Sequence, residues 1–330
     1  MNAPLHLHVE VNPRSMLAAA FTPDRLQAAA TAFPGLLQGI SISYGGGPAD
    51  FDRHIATADA LLLTGQAELT ALEERAPRLR WLHYTSAGVE WLLAGHFPPG
   101  LTITNASGTH EPKAAEFSLL SVLMLNNRIP ALMNAQQQRQ WRPLPAPTVA
   151  GKTVVILGMG ALGGAAAGAL KPLGLRVIGV SRSGRPHPAA DAVHRIAALH
   201  EVLPQADFLL ITLPLTPETD GLLDRNALDL LPRHAGVINI GRGPVLDTEA
   251  LADKLREGSL GGAVLDALPV EPLPSESPLW DVPNLIVTPH CGLYDPVGYG
   301  PRCLAMFCEN LRRFRDGAPL AHVVEIDRGY

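Results

Sequence analysis

Three side chains able to grip an anion or move a proton recur in the last third of the chain, each just past a short apolar run. Arg242 sits in Asn239-Ile240-Gly241-Arg242-Gly243-Pro244-Val245-Leu246-Asp247, Glu271 in Leu265-Asp266-Ala267-Leu268-Pro269-Val270-Glu271-Pro272, and His290 in Thr288-Pro289-His290. A guanidinium binds a carboxylate through two parallel hydrogen bonds. An imidazole can give a proton to a carbonyl oxygen as hydride reaches the carbon, and a carboxylate can hold that ring and favour its protonated form. Together they suit reduction of a 2-oxo acid. Singly, each has a plainer reading: a surface ion pair, a capping histidine, a loop glutamate.

The hydride donor has its own motif. Gly158-Met159-Gly160-Ala161-Leu162-Gly163 follows the apolar run Thr153–Leu157 and opens an Ala-rich segment, the strand–turn–helix context that a GxGxxG needs. The first glycine turns the chain, the second admits a pyrophosphate to the backbone, and the third lets helix and strand pack closely. The helix N-terminus then offers N–H groups and a positive dipole end. Where an NAD-selective site ends its second strand in a carboxylate, this chain reads Ser181-Arg182-Ser183, and no acid follows before Asp191. Hydroxyls and a guanidinium there favour NADP(H), with NAD(H) as a second cofactor.

These groups need strands to carry them. The second half supplies uninterrupted apolar runs at Thr153–Leu157, Leu175–Val180, Phe208–Leu213, Val237–Ile240, Ala263–Leu265 and Leu285–Val287. Such runs mark strands buried on both faces, and six make a full dinucleotide-binding sheet. The first hundred residues alternate strand signals (Leu5–Val11, Ile40–Tyr44, Ala60–Thr64, Leu79–Tyr84, Leu101–Asn105) with helical ones. Thr22-Pro23-Asp24 reads as an N-cap followed by Pro at the first helical position, and Gln66–Ala76 as a helix. Ala114–Leu125 reads as a buried helix, and the tail from Pro301 to Gly317 as a helix returning to the first domain. Both halves are therefore expected to be α/β with parallel sheets.

Composition narrows the partners. A formal charge of -5 over 330 residues, with scattered arginines, argues against nucleic acid or a membrane surface. No apolar run reaches membrane-spanning length, and the N-terminus has no signal-peptide pattern. The 3 cysteines, Cys291, Cys303 and Cys308, form no CxxC pair and fit a reducing cytoplasm better than a disulfide framework. Their spacing with His290 matches no structural zinc pattern, so no metal is expected.

With these motifs in order, the chain resembles the D-2-hydroxyacid dehydrogenase family. The matching text also includes Leu213-Pro214-Leu215-Thr216-Pro217-Glu218-Thr219, Ser277-Pro278-Leu279-Trp280, Thr85-Ser86-Ala87-Gly88-Val89 and Thr104-Asn105-Ala106-Ser107-Gly108. Ser181-Arg182-Ser183 and Gln140-Trp141-Arg142-Pro143-Leu144 resemble the glyoxylate/hydroxypyruvate reductase branch. The resemblance implies a Rossmann domain, 105–290, inserted into a smaller flavodoxin-like α/β substrate domain, 1–104 with 291–330. It implies Arg242 on the substrate carboxylate and carbonyl, Glu271 paired with His290 as acid–base, and backbone amides of Ala87, Gly88 and Val89 on the carboxylate. Gly158, Gly160, Ala161, Leu162, Gly163, Ser181, Arg182, Ser183, Leu213, Pro214 and Ile240 would line the cofactor, and Asp266 would sit by the nicotinamide carboxamide. The product would be a D-2-hydroxy acid.

The resemblance also implies a homodimer through about 110–140, with Trp141 reaching a partner's active site or packing in the interface. Cys291-Gly292-Leu293-Tyr294-Asp295, after His290, departs from the small apolar residues common in the family and puts the substrate side chain in doubt. Two other readings compete. Short-chain dehydrogenases need a Tyr-x-x-x-Lys, which no tyrosine here provides. A corepressor-like nucleotide sensor on the same fold is the alternative of another class; the extra segments expected of one are not seen.

Overall fold

The computed structural model describes residues 4–15, 17–92 and 95–326. The chain divides into two compact units, Met1–Thr109 with Asp295–Tyr330, and His110–Tyr294.

In the first unit, β1 (Leu5–Val11), β2 (Ile40–Gly45), β3 (Ala60–Thr64), β4 (Trp81–Tyr84) and β5 (Thr102–Thr104) form a parallel sheet in the order β2-β1-β3-β4-β5. That is the flavodoxin-like order. Leu7, Val9, Leu62 and Trp81 face the helix Tyr299–Asp316, whose Phe307 stacks on Trp81 at 5.1 Å between ring centroids. The pair contributes about 1 kcal/mol beyond its burial. The tail thus returns to the first unit. Thr22 caps the helix Pro23–Ala30 by accepting from Arg25 N. The expected helix Gln66–Ala76 is reduced to Leu72–Arg75. Glu68 Oε1 accepts the Thr70 N–H, and Ala71 is left-handed at φ 49°, so side chain and backbone both block the earlier turns.

The second unit holds β6 (Thr153–Leu157), β7 (Arg176–Ser181), β8 (Ala192–Arg195), β9 (Phe208–Ile211), β10 (Gly236–Asn239), β11 (Gly262–Leu265) and β12 (Leu285–Val287). Their order is β12-β11-β10-β9-β6-β7-β8, all parallel. This is the Rossmann order extended by one strand beyond the six expected. The unforeseen strand is β8, at the edge. Ala192-Val193-His194-Arg195 is only partly buried and carries two polar residues, so it shows no apolar run.

The helix Glu111–Asn126 buries Ala114, Phe117, Ser118, Ser121 and Val122, but Leu120 and Leu123 are 50% and 37% exposed. The buried helix read from the sequence at Ala114–Leu125 therefore has a buried face and an exposed one. Ala, Ser and Leu surround it on all sides, and the pattern alone does not say which face is covered.

Candidate active site

Parallel strands all end at the same edge of a sheet, and the loops leaving that edge carry the chemistry of the second unit. β6 ends at Leu157, and Gly158 turns the chain at φ +96°. A Cβ on Gly163 would fall 1.8 Å from the Gly158 carbonyl oxygen, so only glycine lets the helix Ala161–Leu170 rest on that turn. A Cβ on Gly160 would meet nothing within 4 Å, which leaves the backbone approachable. Gly160 is also the N-cap and provides no side-chain cap, so the first-turn N–H groups at Ala161 and Leu162 remain for an anion. The three glycines thus have the three geometries that a dinucleotide pyrophosphate requires.

The sheet order reverses between β6 and β9, where open α/β sheets bind ligands. Leu213 and Pro214 leave β9 there. Thr219 Oγ1 donates to Pro214 O at 2.7 Å and accepts from Thr216 N at 2.8 Å, which fixes the loop. A Cβ on Gly241 would lie 2.6 Å from Leu213 O, so the turn after buried Ile240 closes against this loop.

At the end of β7, Ser181 Oγ accepts from Gly184 N at 3.1 Å and Ser183 Oγ from Arg185 N at 3.3 Å. These hydroxyls shape the turn, and Arg182 stands exposed on it. The sequence showed no acid close by, but folding supplies one. Glu218 is held below the ordinary carboxylate range by hydrogen bonds from Thr216 and its own backbone, and further by the nearby Arg182 guanidinium. No sequence signal links residues on different loops in this way.

Arg242, Glu271 and His290 follow β10, β11 and β12, which are adjacent strands. Asn239, fully buried, shapes the first loop. Its Oδ1 accepts from Gly241 N at 3.0 Å and its Nδ2 donates to Arg242 O at 3.0 Å. A Cβ on Gly243 would lie 2.0 Å from the Leu268 carbonyl carbon, so the Arg242 and Glu271 loops pack backbone to backbone. Arg242 Nη1 donates to Gly241 O at 3.0 Å.

Glu271 Oε1 accepts from Leu268 N at 2.8 Å, and its Oε2 accepts from His290 Nδ1 at 2.7 Å. A carboxylate can only accept, so Nδ1 carries the hydrogen and Nε2 is the atom left for chemistry. The pair is partly open, with side-chain exposures of 47% for His290 and 37% for Glu271. His290 itself is left-handed at φ 50°.

Asp266 is 2% exposed, and its Oδ1 accepts from Thr288 Oγ1 at 2.6 Å, Cys291 N at 3.0 Å and Gly292 N at 2.9 Å. The family expectation gave it only a cofactor contact. In the structure it also binds the segment that carries His290.

In the first unit, Ala87, Gly88 and Val89 follow β4. Asn105 Nδ2 donates to Ala87 O at 2.9 Å and Ala106 N to Ser86 O at 3.1 Å, which steadies the loop through its carbonyls. Among the described residues, the N–H groups of Ala87, Gly88 and Val89 have no backbone acceptor within the unit. Such a loop suits an anion.

Residues 119–292 match the model of the NAD binding domain of D-isomer specific 2-hydroxyacid dehydrogenases. A D-3-phosphoglycerate dehydrogenase of Mycobacterium bovis is 31% identical over 263 residues, 77% of this chain and 49% of that protein; the chain spans about half its length. A D-isomer specific 2-hydroxyacid dehydrogenase from Xanthobacter autotrophicus, solved in complex with NADPH and MES, is 31% identical with a TM-score of 0.84, covering 99% of this chain and 100% of that one. An NADPH-dependent glyoxylate/hydroxypyruvate reductase from Sinorhizobium meliloti, solved with NADP and sulfate, is 30% identical with a TM-score of 0.82, covering 99% of this chain and 100% of that one.

Proposed function

The chain belongs to the family of D-isomer specific 2-hydroxyacid dehydrogenases, and we propose that it uses NADPH to reduce a small 2-oxo acid, glyoxylate or hydroxypyruvate in type, to the D-2-hydroxy acid. The observation that carries this reading is the 2.7 Å hydrogen bond from His290 Nδ1 to Glu271, mounted beside Arg242 on three neighbouring strands of a dinucleotide-binding sheet.

Bound NADPH supplies the hydride. Arg242 binds the carboxylate and carbonyl of the acid, and the backbone of Ala87, Gly88 and Val89 adds donors to the carboxylate. His290 delivers the proton to the carbonyl oxygen from Nε2, while Glu271 keeps Nδ1 occupied and offsets the positive charge on the ring. Asp266 would contact the nicotinamide end of the cofactor. Gly158, Gly160, Ala161, Leu162 and Gly163 hold the pyrophosphate, and Leu213, Pro214 and Ile240 flank it. Arg182 with Ser181 and Ser183 takes the 2′-phosphate. The NADP complexes of two similar structures support this choice, and NADH is the weaker substitute.

The reading extends to a homodimer through residues 110–140. Leu120, Leu123 and Met133 are exposed apolar side chains in this stretch of sequence, and Trp141, which follows it directly, is 99% exposed. Such a set suits burial against a second copy. No helix among the described residues is long and apolar enough to cross a membrane. The three cysteines are free thiols, which fits the reducing cytoplasm included in the proposal.

A panel of 2-oxo acids with NADPH and NADH, followed by chiral analysis of the product, tests the reading. The expected result is fastest turnover of the smallest polar acids with NADPH and a D product. An L product, or no turnover of any 2-oxo acid, overturns it.

A further inference from the structure

The segment Thr288–Leu293 runs past the end of β12 and carries His290 at its centre. Its backbone is bound at nearly every residue. At the start, Thr288 N donates to Leu265 O at 2.9 Å and Thr288 Oγ1 to Asp266 Oδ1 at 2.6 Å. In the middle, His290 N donates to Asp266 O at 3.1 Å, and Cys291 N and Gly292 N converge on Asp266 Oδ1. Gly292 lies against Phe117: a Cβ there would be 2.8 Å from the ring. At the far end, Leu293 O accepts from His110 Nδ1 at 2.9 Å.

Most of these contacts are made by backbone, Asp266 or glycine. Two hydrogen bonds come from side chains outside the reacting set, Thr288 at one end and His110 at the other. We infer that Thr288 and His110 are positioning residues for His290, holding the two ends of the segment so that the imidazole stays on Glu271 with Nε2 free. This rests on the reading of His290 as the proton donor.

The physical need is visible at His290 itself. A non-glycine residue at φ 50° lies in a sparsely populated region and persists only where its neighbours fix it. The His290–Glu271 pair is also partly open to water, which competes for both groups. Neither the imidazole nor the carboxylate is enclosed, so its geometry depends on the segment beneath it. A shift of a fraction of an ångström moves Nε2 away from the carbonyl oxygen it must protonate, and proton transfer is sensitive to that distance.

The test uses four variants of the full chain. Thr288→Val keeps the shape and removes the hydroxyl, and Thr288→Ser restores it. His110→Leu removes the donor, and His110→Asn places an amide nitrogen where Nδ1 was. Two readouts are taken: kcat, KM and NADPH affinity in 2-oxo acid reduction, and the tautomer of His290 by nitrogen-detected NMR of the free protein.

We expect Thr288→Val to lower kcat about tenfold and His110→Leu about threefold, with NADPH affinity and KM within about twofold. Both variants should let His290 populate its other tautomer, and Ser and Asn should restore kcat and tautomer. Unchanged kcat and tautomer in Thr288→Val and His110→Leu overturn the proposal. So does a loss shared equally by NADPH affinity and melting temperature that Ser and Asn do not repair. The NMR readout needs no substrate. If wild type reduces no 2-oxo acid, the function fails while the tautomer still decides the positioning role.

Discussion

Each of the two sheets is parallel throughout, and they differ in what they bury. In the second unit, Val154, Val155, Ile156, Leu157, Leu209 and Leu210 are fully buried and apolar, and the polar groups gather in loops at the strand ends. In the first unit, His8 and His83 are fully buried inside strands and Glu10 is 3% exposed. His8 binds Ser43 through Nδ1 at 2.9 Å and Glu10 through Nε2 at 3.1 Å. Thr104 Oγ1 accepts from Trp81 Nε1 at 2.9 Å and is hydrogen-bonded to His83 Nδ1 at 2.8 Å, while His83 Nε2 has no hydrogen-bond partner among the described residues. The Phe307 ring packs against the His83 ring, 5.5 Å between centroids. A parallel sheet can therefore keep its chemistry at its edge and stay dry, or carry titratable groups through its core. The second arrangement ties stability to pH.

The largest effect that separates the units belongs to catalysis. His290→Gln should lower kcat for 2-oxo acid reduction by about 10²–10⁴-fold, the usual range for a general acid. Arg242→Ala should raise KM and lower kcat together, because in the proposed function it holds the reacting end in both ground and transition states. Both variants should bind NADPH and unfold as wild type does. Steady-state kinetics with a fluorescence titration of NADPH checks this. Normal kinetics in either variant would remove that residue from the site and blur the contrast between the sheets.

Acid stability comes next, and it tests the other side of the comparison. Burial, with a smaller contribution from His322, pushes the His83 imidazole down to about 3 from an ordinary value of 6.5. Burial also lowers His6. A folded value below the unfolded one means that the unfolded chain takes up the proton first. Stability is then fully present above about pH 6.5 and falls as pH drops toward 3, by up to about 1.4 kcal/mol per pH unit from His83. His83→Leu should lose some stability at neutral pH, through the Thr104 hydrogen bond, but show a shallower decline of melting temperature with acid. A decline as steep as wild type would mean that other groups govern acid unfolding.

The smallest effect sharpens the edge of the second sheet. Arg182→Ala should weaken NADPH about tenfold and leave NADH nearly unchanged, since one charge-assisted hydrogen bond contributes about 1.5 kcal/mol or more. Glu218→Gln should do the reverse and tighten NADPH about threefold, by removing a carboxylate that shares the Arg182 field. Dissociation constants for both cofactors in both variants decide it. Equal losses for NADPH and NADH in Arg182→Ala would deny it the 2′-phosphate.

Much of this was legible in the residues. β1, β3, β6 and β12 stand where the strand signals put them, and Thr22 caps the helix that its Pro23 announced. The GxGxxG turn shows the three glycine geometries that its spacing implied. These features are local: a run of branched apolar side chains favours a buried strand, and a turn with φ above zero demands glycine whatever lies elsewhere. The sequence also determined that Arg242, Glu271 and His290 each follow a strand, and parallel order then sends all three to one edge. What it could not determine is anything that depends on distance between separate loops. Only the fold brought Glu218 near Arg182, turned one face of Glu111–Asn126 outward, cut the expected helix at Ala71, and gathered Thr288, Cys291 and Gly292 on one oxygen of Asp266. Periodicity and propensity act over a few residues, whereas hydrogen bonds and charges act through space, and the chain meets them only once its strands have paired.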